Sequence, residues 1–325
     1  MKMLQANHKI TIGGDRYSSP ANSRLISLNH SARMDIPVNV CSITMSPPNR
    51  LKLKPDDDIS IELGIGNSTK QVFKGKIARL DWGIDAVRIE AASAARSLVY
   101  ARYNMYFEQS TAGSIVSDIC REAGVDTGMV QPGLLYDYYA VGSNLNASSH
   151  LHNLAIQSGY DTYTDEADRR IFSMFVVTNV HILQYAVNIL NIVIEEAGEG
   201  IGKTEVYGES PASLGQGPLG ATWFTKKEVS GTESRGKGES MPVFEPALRS
   251  SNLAVIVAKG YHAAFAPKKK GWVKTLGDPH IKPGDAVQVM LMPIGSQNGT
   301  YKVSGVEHSI SQKQGFITKL KIEAI

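Results

Sequence analysis

Apolar and polar residues alternate with a period of two at both ends of the chain. No other feature limits the possible folds as much. Over Asp57 to Ile65, Ile59, Ile61 and Leu63 fall on one side and Ser60 and Glu62 on the other. Over Ala86 to Ala92, Val87, Ile89 and Ala91 alternate with Arg88 and Glu90. Near the end, Phe316, Thr318, Leu320 and Ile322 share one face, while Lys319, Lys321 and Glu323 share the other. Alternation of this kind specifies strands with one dry and one wet face. Arg24 to Asn29, Asn39 to Met45 and Val72 to Leu80 add short runs between turn signals such as Pro47-Pro48-Asn49 and Lys54-Pro55-Asp56. Short strands at such spacing point to a small barrel or sandwich.

The pattern changes near residue 93. Ser110 or Thr111 can cap a helix with Ile115, Val116, Ile119, Cys120 and Ala123 inward and Gly124 as its stop. A second helix reads from Ser148 to Ser158, ending at Gly159. The hairpin Asp161 to Thr164 and Ile171 to Phe175 follows, turning at Asp165-Glu166-Ala167-Asp168. Strands return from Ile189, with Thr204 to Tyr207 another short one, and Gly208 to Pro246 reads as a long polar loop. A helix over Ser250 to Phe265 leads to four strands, Trp272 to Leu276, Ala286 to Met292, Gly299 to Ser311 and Gly315 to Glu323. This divides the chain into 1–105, 106–188 and 189–325: two β-rich ends around a small α/β insert. No residue-level repeat relates the ends; the repetition is one of architecture.

Composition excludes several classes. The 325 residues carry 34 Lys+Arg against 31 Asp+Glu, so no basic excess marks a nucleic-acid binder. Hydrophobic residues make up 42%, which rules out global disorder. Two cysteines, Cys41 and Cys120, form neither a disulfide framework nor a zinc set and read as buried small hydrophobes. The first residues lack an apolar core of signal-peptide length, so synthesis in the cytoplasm is expected. Phe172 to Ile194 is apolar but punctuated by Asn179, His181, Gln184, Asn188 and Asn191, which fits buried strands better than a membrane span.

No enzyme signature emerges. There is no G-x-S-x-G elbow. Gly198 to Thr204 approaches a phosphate loop, but Ala197 stands where its first glycine belongs. His150 and His152 would diverge on a helix, and Asp56-Asp57-Asp58 runs into a strand rather than a calcium loop. Glu195 and Glu196 point to opposite strand faces and cannot pair as glycosidase acids. Lys268-Lys269-Lys270 before Trp272 reads as a solvated loop or a surface passed by DNA. No cofactor and no metal site are expected.

The order of motifs resembles a known family. Val72-Phe-Lys-Gly-Lys-Ile77, Val87-Arg-Ile-Glu-Ala-Ala92, then Leu98 and Arg102-Tyr103, are similar to the baseplate hub family of phage late control protein D and VgrG-type proteins. Gly277-Asp-Pro-His-Ile-Lys-Pro-Gly-Asp-Ala-Val287, Gly299-Thr-Tyr-Lys-Val303, Val306-Glu-His308 and Gly315-Phe-Ile-Thr-Lys-Leu320 continue the resemblance, which covers about residues 25 to 325. Two segments depart from it: the 208–246 loop and the apolar stretch Val176 to Asn188.

The resemblance implies a β-rich α+β fold with two tail-tube-like β-barrel domains bracketing the insert. It implies a homotrimer with a pseudo-six-fold ring, a structural symmetry adaptor between a six-fold tail tube and a three-fold spike. The implied partners are further copies of the chain, a trimeric spike, a tube or tube-initiator protein, and tape-measure and wedge proteins. Its place would be a virion tail or contractile injection particle. No spike or lysozyme segment follows Ile325, so the spike is expected on a separate chain. Arg88, Glu90, Trp272, Lys319, Lys321 and Glu323 are the candidate interface residues. A peptidoglycan- or carbohydrate-binding module is the alternative, suggested by a superficial LysM likeness at Ile281 to Val287; a cell-wall hydrolase is a further one.

Overall fold

A computed structural model describes residues 6–19, 23–66, 68–196, 200–208, 229–235, 237–266 and 268–325. The first β unit holds β1 (Ala6–Ile12), β2 (Asp15–Ser18), β3 (Leu25–Arg33), β4 (Val40–Met45), β5 (Asp58–Ile65), β6 (Ser68–Trp82) and β7 (Val87–Ala92). The middle of the chain holds α1 (Arg96–Tyr100), β8 (Met105–Thr111), α2 (Ala112–Glu122), β9 (Thr127–Val130), β10 (Leu135–Val141), α3 (Ala147–Ser158), β11 (Asp161–Thr164) and β12 (Arg170–Ser173). Then follow β13 (Val180–Gln184), β14 (Ile189–Glu195), β15 (Gly200–Tyr207), β16 (Ser230–Ser234), β17 (Gly238–Phe244) and α4 (Ser251–Phe265). The last four strands are β18 (Lys270–Leu276), β19 (Ala286–Met290), β20 (Gly299–Ser311) and β21 (Gly315–Ala324).

Local chemistry explains the helices. The Thr111 hydroxyl accepts from the Ser114 amide to cap α2, and Gly124 follows in the left-handed region at φ 68°. Asn146 caps α3 through the Ser149 amide, and Gly159 ends it at φ 67°. Part of the expected 208–246 loop is strand: β16 and β17 flank β15, and 209–228 lies outside the described residues. Packing crosses the sequence boundaries here. Val206, Val229, Leu248, Ala254 and Val257 bury their side chains with Ile115, Ile119, Leu151 and Leu154 in one middle core.

The strands at the two ends do not close into two separate barrels. They join one thirteen-stranded sheet, whose main path runs β14-β18-β21-β20-β3-β4-β7-β6-β5-β1-β2. The fusion occurs because the far edge of β20 pairs with β3, from Gly305 opposite Arg33 to Ser311 opposite Ser27. Each half still wraps its own core. Ile10, Ile43, Ile61, Phe73 and Ile89 fill the first, and Val273, Val287, Val303, Leu320 and Ile322 the second.

The halves share one topology. In the first, β3-β4-β7-β6 are neighbours in that order, and β5 pairs with the start of β6. In the second, β14-β18-β21-β20 are neighbours, and β19 pairs with the start of β20. Every one of these pairings is antiparallel. The irregularities match as well. The β3 register shifts between Leu25 and Ser27, and the β14 register between Ile189 and Asn191. The β6 register shifts between Ile77 and Arg79, and the β20 register between Val303 and Gly305. Bulges are positional devices that bend and twist a strand, so shared bulges fix the correspondence. Ile26 matches Leu190, Ala78 matches Ser304, Ile89 matches Leu320, and His308 matches Trp82.

The apolar stretch 172–194 was expected to be buried. Instead β13 and β14 occupy sheet edges. Among the described residues β13 pairs parallel with β19 alone and β14 pairs with β18 alone, and Ile182 is 56% and Leu190 51% exposed. Among the described residues no helix is long and apolar enough to cross a membrane.

Candidate assembly surface

Eight strands form one continuous surface: β14, β18, β21 and β20 from the second half, then β3, β4, β7 and the last third of β6 from the first. Their inward side chains fill the two cores, so the alternate residues form a single polar face. Across its middle lies a concavity of about 870 Å3, lined among others by Asn29, Ser42, Glu90, Trp272, Glu307 and Lys319.

All six sequence-derived candidates lie on this face, though not as one cluster. Arg88 and Glu90 sit on β7, paired with each other at 3.3 Å. Lys319 Nζ lies 5.0 Å from the centre of the Trp272 ring, a cation–π contact between β21 and β18. Lys321 reaches Asp35 at 2.8 Å. The Arg33 guanidinium at 2.6 Å, together with Lys321, holds the Asp35 carboxyl down at about 2. Glu323 meets Lys302 at 2.8 Å, and Lys302 also meets Asp161 of the middle unit at 2.7 Å. Burial works against the Lys302 ammonium, but these two carboxylates outweigh it and its pKa rises. In the repeat, Arg88 corresponds to Lys319 and Glu90 to Lys321, so four candidates are two pairs of equivalent positions.

Sequence reasoning missed the histidines beneath this face. His308 and His30 stand directly opposite each other where β20 meets β3. Their rings stack 5.8 Å apart with planes 17° from parallel, between Phe73 and Phe316. His308 Nδ1 lies 3.0 Å from Thr318 Oγ1, while neither nitrogen of His30 has a hydrogen-bond partner among the described residues. Burial lowers the His30 pKa to about 4, and burial plus the His30 charge puts that of His308 well below its usual value. Nothing in the sequence around His30 or His308 gave a sign of this; only strand pairing brings the rings together.

Among the described residues both lateral edges of the eight-strand surface are open. Beyond Ile77, whose backbone still bonds to Asp56 and Asp57, the last third of β6 pairs on one side only, with β7. β14 pairs only with β18. Trp82 at the first edge is 53% exposed.

The middle unit clamps one end of the sheet through the β11–β12 turn. Asn39 donates to the Thr164 carbonyl at 2.9 Å, Gln71 to the Glu166 carbonyl at 2.8 Å, and Lys282 pairs with Glu166 at 3.1 Å. Arg170, fully buried, donates to the Pro37 carbonyl at 3.2 Å, and burial lowers its pKa to about 10. His150 Nε2 donates to the Gly142 carbonyl, 3.0 Å away, within the middle unit. Among the described residues no three His, Cys, Asp or Glu side chains group as a metal site. Cys41 and Cys120 are free and buried.

A sheet of this kind recurs in solved structures of phage tail proteins. The prophage MuSo2 43 kDa tail protein of Shewanella oneidensis superposes with a TM-score of 0.72 at 10% identity, over 98% of both chains. A tail protein of Neisseria meningitidis does so with 0.74 at 12% identity, over 98% of this chain and 96% of that one. An Escherichia coli protein described as a component of the type VI secretion system, similar to T4 bacteriophage tail proteins, gives 0.58 at 11% identity over 98% and 77%. The fold is thus that of phage tail and VgrG-like secretion proteins, as the sequence resemblance to the baseplate hub family implied. No family model and no curated protein matches the sequence itself.

Proposed function

We propose that the chain is a structural baseplate hub, a symmetry adaptor in a phage tail or contractile injection system. It would join a six-fold tail tube to a three-fold spike, and it would do so without catalysis. One observation carries this reading: each chain holds two copies of one strand unit, side by side in the same orientation, four strands each. Three chains of eight strands, placed edge to edge, close a ring of twenty-four strands. The ring repeats six times at the level of the fold and three times at the level of sequence. A six-fold tube fits the first symmetry and a trimeric spike the second.

The polar face would line the ring. Its concavity carries Glu90 and Glu307 against Lys274 and Lys319, a balance that neither grips a polyanion nor repels it. Arg88, Glu90, Lys319, Lys321, Glu323 and Trp272 would then face the lumen or its rims rather than the spike alone. Tape-measure and wedge proteins remain further partners of this reading, and the site of action is the assembled particle. Light-scattering mass with negative-stain images tests it. A three-fold mass with ring views and an open centre supports the hub. A monomer at every concentration and in the presence of the spike would overturn it.

The wall-binding alternative would need an exposed aromatic platform. Tyr106 and Tyr138 do stack at 5.9 Å and are 61% and 44% exposed. Sedimentation with purified peptidoglycan decides: retention lost on Tyr138→Ala would favour a wall-binding module.

A further inference from the structure

From the internal repeat we infer which edges of two copies pair and in which register: β6 of one copy adds to β14 of the next as β20 adds to β3 within the chain. This rests on the ring reading above and goes beyond it, because a trimer alone does not specify strands or register.

The argument is one of correspondence. β20 and β6 hold the same place in their units, and so do β3 and β14. Within the chain, β20 pairs antiparallel with β3, with His308 opposite His30 and Glu307 opposite Ser31. The matched bulges carry that register over without a free choice. Trp82 takes the place of His308 and Ile194 that of His30. Asp81 takes the place of Glu307 and Glu195 that of Ser31. The transferred pairing therefore sets Trp82 opposite Ile194 on the core face and Asp81 opposite Glu195 on the polar face.

Two features fit a second copy as the occupant, and a third offsets the repulsion of the facing acids. Trp82 lies on the core side of its strand beside fully buried Val87, yet is 53% exposed; an apolar Ile194 opposite would cover it. The two edges are complementary ends of one strand ladder, and free ladder edges invite further strands. Each carboxylate also has a basic neighbour of its own. Asp81 accepts from Arg79 at 2.8 Å, and Glu195 stands opposite Lys270, so the facing acids are partly neutralised before they meet. The contact is head-to-tail, and the internal copy of it supplies the rotation that closes the ring.

Paired cysteines test the register. Opposite residues of an antiparallel pair lie within disulfide reach, and a shift of two residues takes them out of it. The double variant Asp81→Cys, Glu195→Cys should oxidise to covalent dimers and then closed trimers, since Cys41 and Cys120 are buried. The shifted variant Asp81→Cys, Val193→Cys should not. Equal or stronger cross-linking of the shifted pair, or a covalent dimer from Glu195→Cys alone, would overturn the proposal. Hydrogen exchange on the unmodified protein covers a variant that fails to fold: the amides of 79–82 and 191–195 that do not bond to β7 or β18 should be protected in the trimer and exchange freely in the monomer. A trimer by mass that leaves these amides unprotected refutes the edge pairing and leaves the hub reading standing. A protein that never trimerises refutes both.

Discussion

Acidification should weaken the seam between the two β units, and His30 sets where. His30 is 3% exposed, stacked on His308 and edge-on to Phe73. Burial lowers its pKa from 6.5 to about 4. A base depressed in this way stabilises the fold only while neutral. Its contribution is complete above the unfolded value near 6.5 and is lost as pH falls from there towards 4. At ~1.4 kcal/mol per pH unit that window corresponds to ~3 kcal/mol. Total stability is the wrong readout, because half-buried Asp168 acts with the opposite sign. Burial raises its pKa to about 6, so its protonation stabilises the fold over part of the same range. The difference between wild type and His30→Phe cancels that distant contribution. Urea denaturation at a series of pH values should show the wild type losing ~3 kcal/mol relative to the variant between about pH 7 and about pH 4. Stability curves that stay parallel over this range would refute the reasoning.

Other substitutions probe the frame and the edges. Ile89→Ala, at a fully buried position of the first core, should lower stability by ~2–5 kcal/mol in urea denaturation. Gly271 lies where a Cβ would come 2.0 Å from the Val193 carbonyl. Gly271→Ala should therefore loosen β14, seen as faster exchange of amides 191–195, at ~1–3 kcal/mol. Asp81→Asn removes one of two acids that the proposed ring sets opposite each other; light scattering should show trimer at lower concentration, by ~0.2–1 kcal/mol per junction. Lys302→Met leaves Asp161 and Glu323 without their shared partner. It should lower Tm at neutral pH, and mild acid should recover part of the loss as the carboxylates protonate.

Much of the strand content was legible because each strand in the eight-strand surface keeps one dry face: Ile43, Ile89 and Leu320 announce themselves by alternation. The helices α2 and α3 were legible from Thr111, Gly124 and Gly159, whose roles are local. The repeat was not. Nothing breaks the chain between β3 and β4 beyond a short turn, whereas 196–269 separates β14 from β18, so no fixed spacing links Ile26 to Leu190. The fusion of the halves was invisible for a similar reason. Whether β20 closes on its own unit or adds to β3 is decided by which edge is free, and pattern cannot report an edge. The exposure of β13 and β14 follows from the same ignorance: Ile182 and Leu190 look like core residues because their composition is that of a strand covered on both sides. Arg88, Glu90, Lys319, Lys321 and Glu323 were read from alternation and Trp272 from the basic run before it; the first five share a face because alternation is what the face is made of.

The account stands on the claim that two equivalent strand units per chain build a six-fold ring from three copies. A cryo-EM reconstruction of the assembled ring, without imposed symmetry, tests this most directly. It should show three copies, an unbroken inner wall of twenty-four strands, and β6 of each copy seated on β14 of its neighbour at the spacing of β20 on β3. A ring whose inner wall breaks between copies, or whose copies meet through the middle units, would contradict it.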